Sequence, residues 1–197
     1  MGKKYLTLPS FPIIKPEELN PLDVCFNLDT NKFTAWGEHT FRKYPYKQVP
    51  THAYFHIRHQ IILNVGLCGV YIDYLSTYLN KSHAILVIHF KDSGWNIENK
   101  LIDVCFHEFI KSKKLLHYDF GGYGSFIPFL NKIFKSSKKL DFCSDNVVDN
   151  GQAVEYKFFN GLDSEHTSPA DLLLRALKSN DDNVEVRLLK PKGVYNG

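Results

Sequence analysis

The residues best suited to covalent chemistry are a cysteine and a histidine that lie far apart in the chain. Cys143 sits in Leu140-Asp141-Phe142-Cys143-Ser144-Asp145-Asn146-Val147. A helix starting there puts unpaired backbone N–H groups and the positive end of the helix dipole beside the sulfur, and both favour the nucleophilic thiolate. His52 follows Pro50-Thr51 at the start of a strand, from which an imidazole can project from the sheet edge toward a helix end. Asn64, on the next apolar segment, can meet His52 across a hairpin. An amide that accepts from one ring nitrogen fixes the tautomer and leaves the other nitrogen free to take a proton from sulfur. Each residue also has a purely structural use. A buried cysteine behaves as a small hydrophobe, and a His–Asn pair on neighbouring strands can serve only as a hydrogen-bonded link. Cys25, Cys68 and Cys105 take the hydrophobe reading, because each lies inside an apolar run.

Other clusters compete for attention. On a helix His52, His56 and His59 would share a face and could hold zinc, but the intervening Ala-Tyr-Phe and the following Ile favour a strand. On a strand His52 and His56 share a face while His59 does not. His107-Glu108 lacks the second histidine of a zinc-protease helix motif and reads as a solvated helix face. No metal and no cofactor is expected. The runs Lys111-Ser112-Lys113-Lys114 and Lys135-Ser136-Ser137-Lys138-Lys139 suit solvated helix ends, where cations oppose the negative dipole end. An anionic wall polymer is the alternative contact for them.

The elements that must position these residues follow from periodicity. Asp23–Leu28 reads as a short strand after the turn at Pro21. Ala53–Ile57 and Gln60–Val65 read as two strands joined through Arg58-His59, and His83–Phe90 as a central strand. From Asn96 to Lys114 the apolar residues Leu101, Val104, Cys105 and Phe109 fit one helix face. Gly121-Gly122-Tyr123-Gly124 breaks the chain, and Phe126–Phe134 can form another helix. Cys143–Val148 is a helix candidate capped by Asn150-Gly151. Ser168-Pro169-Ala170-Asp171 opens a further helix with a capping box. Val184–Leu188 alternates as a closing strand. Strands, then helices, then a strand predict an α+β domain.

Composition bounds the rest. A chain of 197 residues, 44% hydrophobic and 23% charged, suits a single domain over 1–197 with its core about 20–190. Its 15 Phe and 11 Tyr predict an interior built on rings. A net charge of +3 does not call for a nucleic-acid partner. No long apolar run follows Lys3-Lys4, so neither a signal peptide nor a membrane span is expected. Four scattered cysteines without a CxxC pair suit free thiols in a reducing compartment. Heavy use of Lys, Asn, Ile, Phe and Tyr suits an AT-rich genome, bacterial or phage. The expected location is the cytoplasm, or the virion if the chain is phage-encoded.

Six blocks fall in an order that resembles a known family. They are Leu22-Asp23-Val24, Thr51-His52-Ala53-Tyr54-Phe55-His56, Ile62-Leu63-Asn64, Leu116-His117-Tyr118-Asp119-Phe120, Phe142-Cys143-Ser144-Asp145-Asn146-Val147 and Ser168-Pro169-Ala170-Asp171-Leu172. The series resembles the circularly permuted branch of the NlpC/P60 papain-like superfamily, the YiiX/YaeF-like thiol hydrolases. Leu22 and Tyr54 stand where that branch usually has glycines, Asn64 where it often has Glu, and Asp145 where Glu follows the Cys-Ser pair. The resemblance implies a permuted papain-like fold, an antiparallel sheet packed against helices. It implies Cys143 as nucleophile, His52 as general base and then acid, and Asn64 as the orienting group. Tyr54, Tyr118 and Ser144 become the candidates for contacting substrate. The implied activity is cleavage of amide bonds in cell-wall peptides. The alternatives are lipid acyl hydrolysis or transfer at the same site, and a non-catalytic module such as a phage virion component with a protein partner.

Overall fold

Runs of β-branched and aromatic residues fill the first half of the chain, and these pair into one sheet. The computed structural model describes residues 5–29, 38–40, 42–66, 69–80, 84–112 and 143–189. Its strands are β1 (Ile13–Ile14), β2 (Val24–Asp29), β3 (Val49–Arg58), β4 (Ile61–Gly66), β5 (Gly69–Tyr74), β6 (Ile85–Phe90) and β7 (Val184–Leu189). The spatial order is β1-β7-β6-β2-β3-β4-β5. The helices that frame the site are α1 (Leu75–Leu79), α2 (Trp95–Ser112), α3 (Cys143–Ala153) and α4 (Pro169–Leu177). The α+β expectation holds, with one correction to the sheet. β1 runs parallel to β7 while the other pairs are antiparallel, so the sheet is mixed. Two residues, too few to show an apolar alternation, form that parallel edge.

Strand alternation splits the apolar residues into two layers. One joins Phe26, Phe55, Leu63, Ile88 and Phe90 of the sheet to Val147 and Val148 of α3 and Leu172 and Leu173 of α4. Phe90 packs against Phe158 and Phe159, with ring centroids 5.2 and 5.8 Å apart, so large rings do fill this layer. The other layer joins Cys25, Tyr54, Ile62, Ile85 and Val87 to Leu75 and Leu79 of α1. Among the described residues no helix is long and apolar enough to cross a membrane.

Local chemistry explains three features that bear on the site. The Ser168 side chain accepts from the Asp171 N–H at 3.2 Å, and Asp171 Oδ2 accepts from the Ser168 N–H at 3.0 Å. These reciprocal bonds satisfy two orphan donors and start α4 as its sequence predicts. Asn150-Gly151, by contrast, does not end α3, which continues to Ala153. A Cβ built on Gly151 would come within 2.3 Å of the Phe159 ring. The glycine is therefore there for close packing and not for a left-handed cap. Leu22 is buried with φ 75°, a left-handed conformation that costs a non-glycine residue about 1–2 kcal/mol. The turn before β2 thus holds Leu22 in a backbone shape that glycine favours.

The hairpin between β3 and β4 turns at His59-Gln60, one residue later than the sequence suggests, with His59 at φ 50°. β5 and α1 carry no sequence signal strong enough to predict them, since Gly69–Tyr74 is short and α1 spans five residues. Tyr118, the Gly121–Gly124 break, the predicted helix over 126–134, His83, Cys68, Lys113, Lys114 and the run Lys135-Ser136-Ser137-Lys138-Lys139 lie outside the described residues.

Candidate active site

β3 delivers His52. Its partner β2 pairs Asn27 with His52 but Leu28 with Pro50, so Thr51 is an extra residue immediately before the histidine. Such a bulge bends the strand and re-aims neighbouring side chains. β4 delivers Asn64, one step past the Phe55–Leu63 pair on the side toward His52. The two side chains meet, with His52 Nε2 2.6 Å from Asn64 Oδ1. An amide oxygen only accepts, so Nε2 carries the hydrogen. Nδ1 is then the ring nitrogen left for another partner.

The other group acting on the ring is Cys143. It is the first residue of α3, which packs against β3 and β4, and it is 4% exposed. Burial alone would depress the His52 pKa. The charge of Cys143, its hydrogen bond to the ring and the bond to Asn64 outweigh burial and hold the His52 pKa above its ordinary value of 6.5. A ring held in its charged form beside a sulfur is the electrostatic setting in which a cysteine–histidine pair can work. The first-turn N–H groups of α3 and the positive end of its dipole lie beside the same sulfur. A thiol, an imidazole and a side-chain amide are therefore supplied by three separate elements, α3, β3 and β4.

The remaining candidates take different places. Ser144, next along α3, is 1% exposed. Tyr54 lies under the site, not in an open cleft. Its ring is buried, packs on Tyr78 with centroids 4.8 Å apart and on His52 at 5.9 Å, and its hydroxyl donates to Asn27 Oδ1 at 3.3 Å. Tyr118 falls outside the described residues.

Two further residues touch the constellation without being predicted from sequence. Asn64 Nδ2 donates to the Tyr71 hydroxyl at 2.9 Å and to the Tyr78 hydroxyl. Tyr71 lies directly opposite Asn64 across the β4–β5 ladder, and Tyr78 comes from α1. The one available signal is the alternation of Tyr71 with its neighbours, and it is lost unless β5 is recognised as a strand.

His56 has both ring nitrogens engaged, Nδ1 2.8 Å from the Asn20 carbonyl oxygen and Nε2 2.9 Å from that of His59. His107 sits on the exposed face of α2 and bonds back to the Asp103 carbonyl at 2.8 Å. Among the described residues no three His, Cys, Asp or Glu side chains converge as a metal-binding group.

No family model matches the chain, and no curated protein does. One solved structure similar to it is metalloprotein YiiX from Escherichia coli O157:H7, with 15% identity and a TM-score of 0.46 over 91% of this chain and 93% of that one.

Proposed function

We propose that this chain is a cysteine hydrolase with a permuted papain-like fold, in which Cys143, His52 and Asn64 form the catalytic site. The observation that carries the reading is the His52 ring, bonded through Nε2 to Asn64 and interacting with Cys143 strongly enough to overcome its own burial. In that role the Cys143 sulfur attacks a carbonyl carbon, and the first-turn N–H groups of α3 hold the developing oxyanion. His52 then gives a proton to the leaving group. Water, deprotonated by His52, releases the acyl group from sulfur.

The substrate class we favour is an amide bond in a cell-wall peptide, which rests on the ordered resemblance of the sequence blocks to the NlpC/P60 superfamily. The alternative at the same site is hydrolysis or transfer of lipid acyl groups. Incubation with peptidoglycan fragments and with short-chain thioesters, each beside Cys143→Ala, separates them. Cys143-dependent release of peptide products supports the first reading, and thioester turnover alone supports the second. If neither substrate is turned over and an electrophilic probe leaves Cys143 unlabelled, the domain is a non-catalytic module.

A further inference from the structure

We propose that Tyr71 and Tyr78 are positioning residues whose hydroxyls take both amide hydrogens of Asn64 and thereby hold its Oδ1 on His52. The inference rests on the reading of Cys143, His52 and Asn64 as one site.

A side-chain amide has two donors on one arm and an acceptor on the other. Asn64 is 1% exposed, so solvent does not choose which arm faces the histidine. If the amide turned over, Nδ2 would face Nε2. Two donors would then oppose each other whenever the ring is doubly protonated, the state that pairs with a thiolate. The tyrosine hydroxyls fix the choice by accepting from Nδ2, Tyr71 at 2.9 Å and Tyr78 beside it. Their own hydrogens have other places to go. The two hydroxyls lie 3.4 Å apart, and burial, then bonding to Tyr71 and the nearby Asp73 carboxylate, keeps the Tyr78 hydroxyl protonated well beyond the ordinary tyrosine range. A hydroxyl whose hydrogen is drawn toward Tyr71 or a carboxylate presents its lone pairs to Asn64. The polarity thus runs from the Asp73 side through Tyr78 and Asn64 to the Nε2–H of His52, leaving Nδ1 for the sulfur. The rings are also well placed to hold these hydroxyls still. Tyr71 is paired in register with Asn64 across the ladder, and Tyr78 packs on the buried Tyr54 ring.

The test uses full-length protein with ¹⁵N-labelled histidine, comparing wild type with Tyr71→Phe, Tyr78→Phe and the double variant, each with Asn64 intact and with Asn64→Ala. Phenylalanine keeps the ring and removes only the hydroxyl. Tyr74→Phe, on an exposed side chain of the same strand, is the control. Two quantities are read: the titration midpoint and tautomer of His52, and the rate of Cys143 alkylation by iodoacetamide across pH. The double variant should lower the His52 midpoint and slow alkylation at neutral pH on the order of tenfold, as for other outer-shell partners. Tyr74→Phe should change neither, and in the Asn64→Ala background the two Phe substitutions should add nothing. An unchanged His52 titration in the double variant overturns the proposal, as does an equal effect without Asn64. Neither readout needs turnover. If His52 moves as expected while no substrate is cleaved, the positioning role stands and the hydrolase reading falls. If cleavage depends on Cys143 while His52 stays unmoved, the hydrolase reading stands and the positioning role falls.

Discussion

Two histidines four residues apart on β3 meet different partners, a side-chain amide at one end of the strand and backbone carbonyls at the other. His56 is 1% exposed, and both its nitrogens face backbone carbonyls, those of Asn20 and His59. With both ring nitrogens committed to carbonyl oxygens, it has none available to take a proton from another group. Its neighbourhood is a tie-point: the His56 carbonyl accepts from Leu22 N at 2.9 Å, and His56 N donates to Asp23 O at 2.8 Å. The Asp23 side chain in turn accepts from Asn20 N, Phe90 N and His89 Nδ1 at 2.8–2.9 Å. His52, at the bulged start of the strand, has only Nε2 engaged by an amide, and its other nitrogen is left for a thiol. Residue type and strand parity are the same for both. The groups brought in by other elements make the difference.

The comparison breaks most sharply on substitution of the sulfur. Cys143→Ala and His52→Ala should each abolish thiol-dependent turnover, a loss of at least about 10³-fold, while leaving the melting temperature near that of wild type. A variant of either residue that keeps wild-type turnover of a cleaved substrate would remove the pair from the mechanism. Asn64→Ala should cost less, on the order of 10- to 100-fold in turnover with the fold intact, because it orients the ring and does not react. Steady-state kinetics beside circular dichroism checks this, and undiminished turnover would pass the orienting role elsewhere.

His56→Ala should show the opposite profile. Its loss removes the ring that bonds the Asn20 and His59 carbonyls and leaves a cavity where a buried side chain stood, a destabilisation of about 2–4 kcal/mol. For a chain of this size that lowers the melting temperature by several degrees, roughly 2–4 °C per kcal/mol. The fraction that remains folded should keep the wild-type rate of Cys143 labelling. Gly151→Ala, which drives a methyl into the Phe159 ring, should destabilise by about 1–3 kcal/mol, checked by denaturant unfolding.

The smallest effect is a shift in titration. The folded His52 pKa lies above 6.5, so its stabilising contribution is complete below that value and is lost as pH rises through the folded pKa. Cys143→Ala removes the raising charge and hydrogen bond while leaving burial in place, so the His52 midpoint should fall. Histidine-resolved NMR titration of the two proteins measures the difference, and an equal midpoint in both would separate His52 from the sulfur.

Much of the frame is legible in the sequence because it depends on short-range patterns. The apolar runs of β2, β3, β4 and β6, the 3.6-residue period of α2 and the capping box of α4 announce themselves within a few residues. Gly151 misleads because a glycine after an asparagine suits a helix end locally, whereas its actual neighbour, Phe159, is brought up by tertiary packing. The parallel pairing of β1 is hidden for a related reason, since two residues have no readable period. Cys143 and His52 can be named as candidates from residue type and place near element starts, and Asn64 from its place on the neighbouring strand.

By itself, the sequence determined that the chain would build an α+β domain with a thiol at a helix start and an imidazole at a strand start. Periodicity and capping are properties of contiguous residues, and backbone geometry translates them directly. Only the tertiary structure decided which histidine faces the sulfur, which way the Asn64 amide is turned, and that two tyrosines from β5 and α1 hold it there. Those outcomes depend on hydrogen-bond partners from elements far apart in the chain. Directional bonds of about 3 Å are set by how the strands register and the helices pack, which no local pattern encodes.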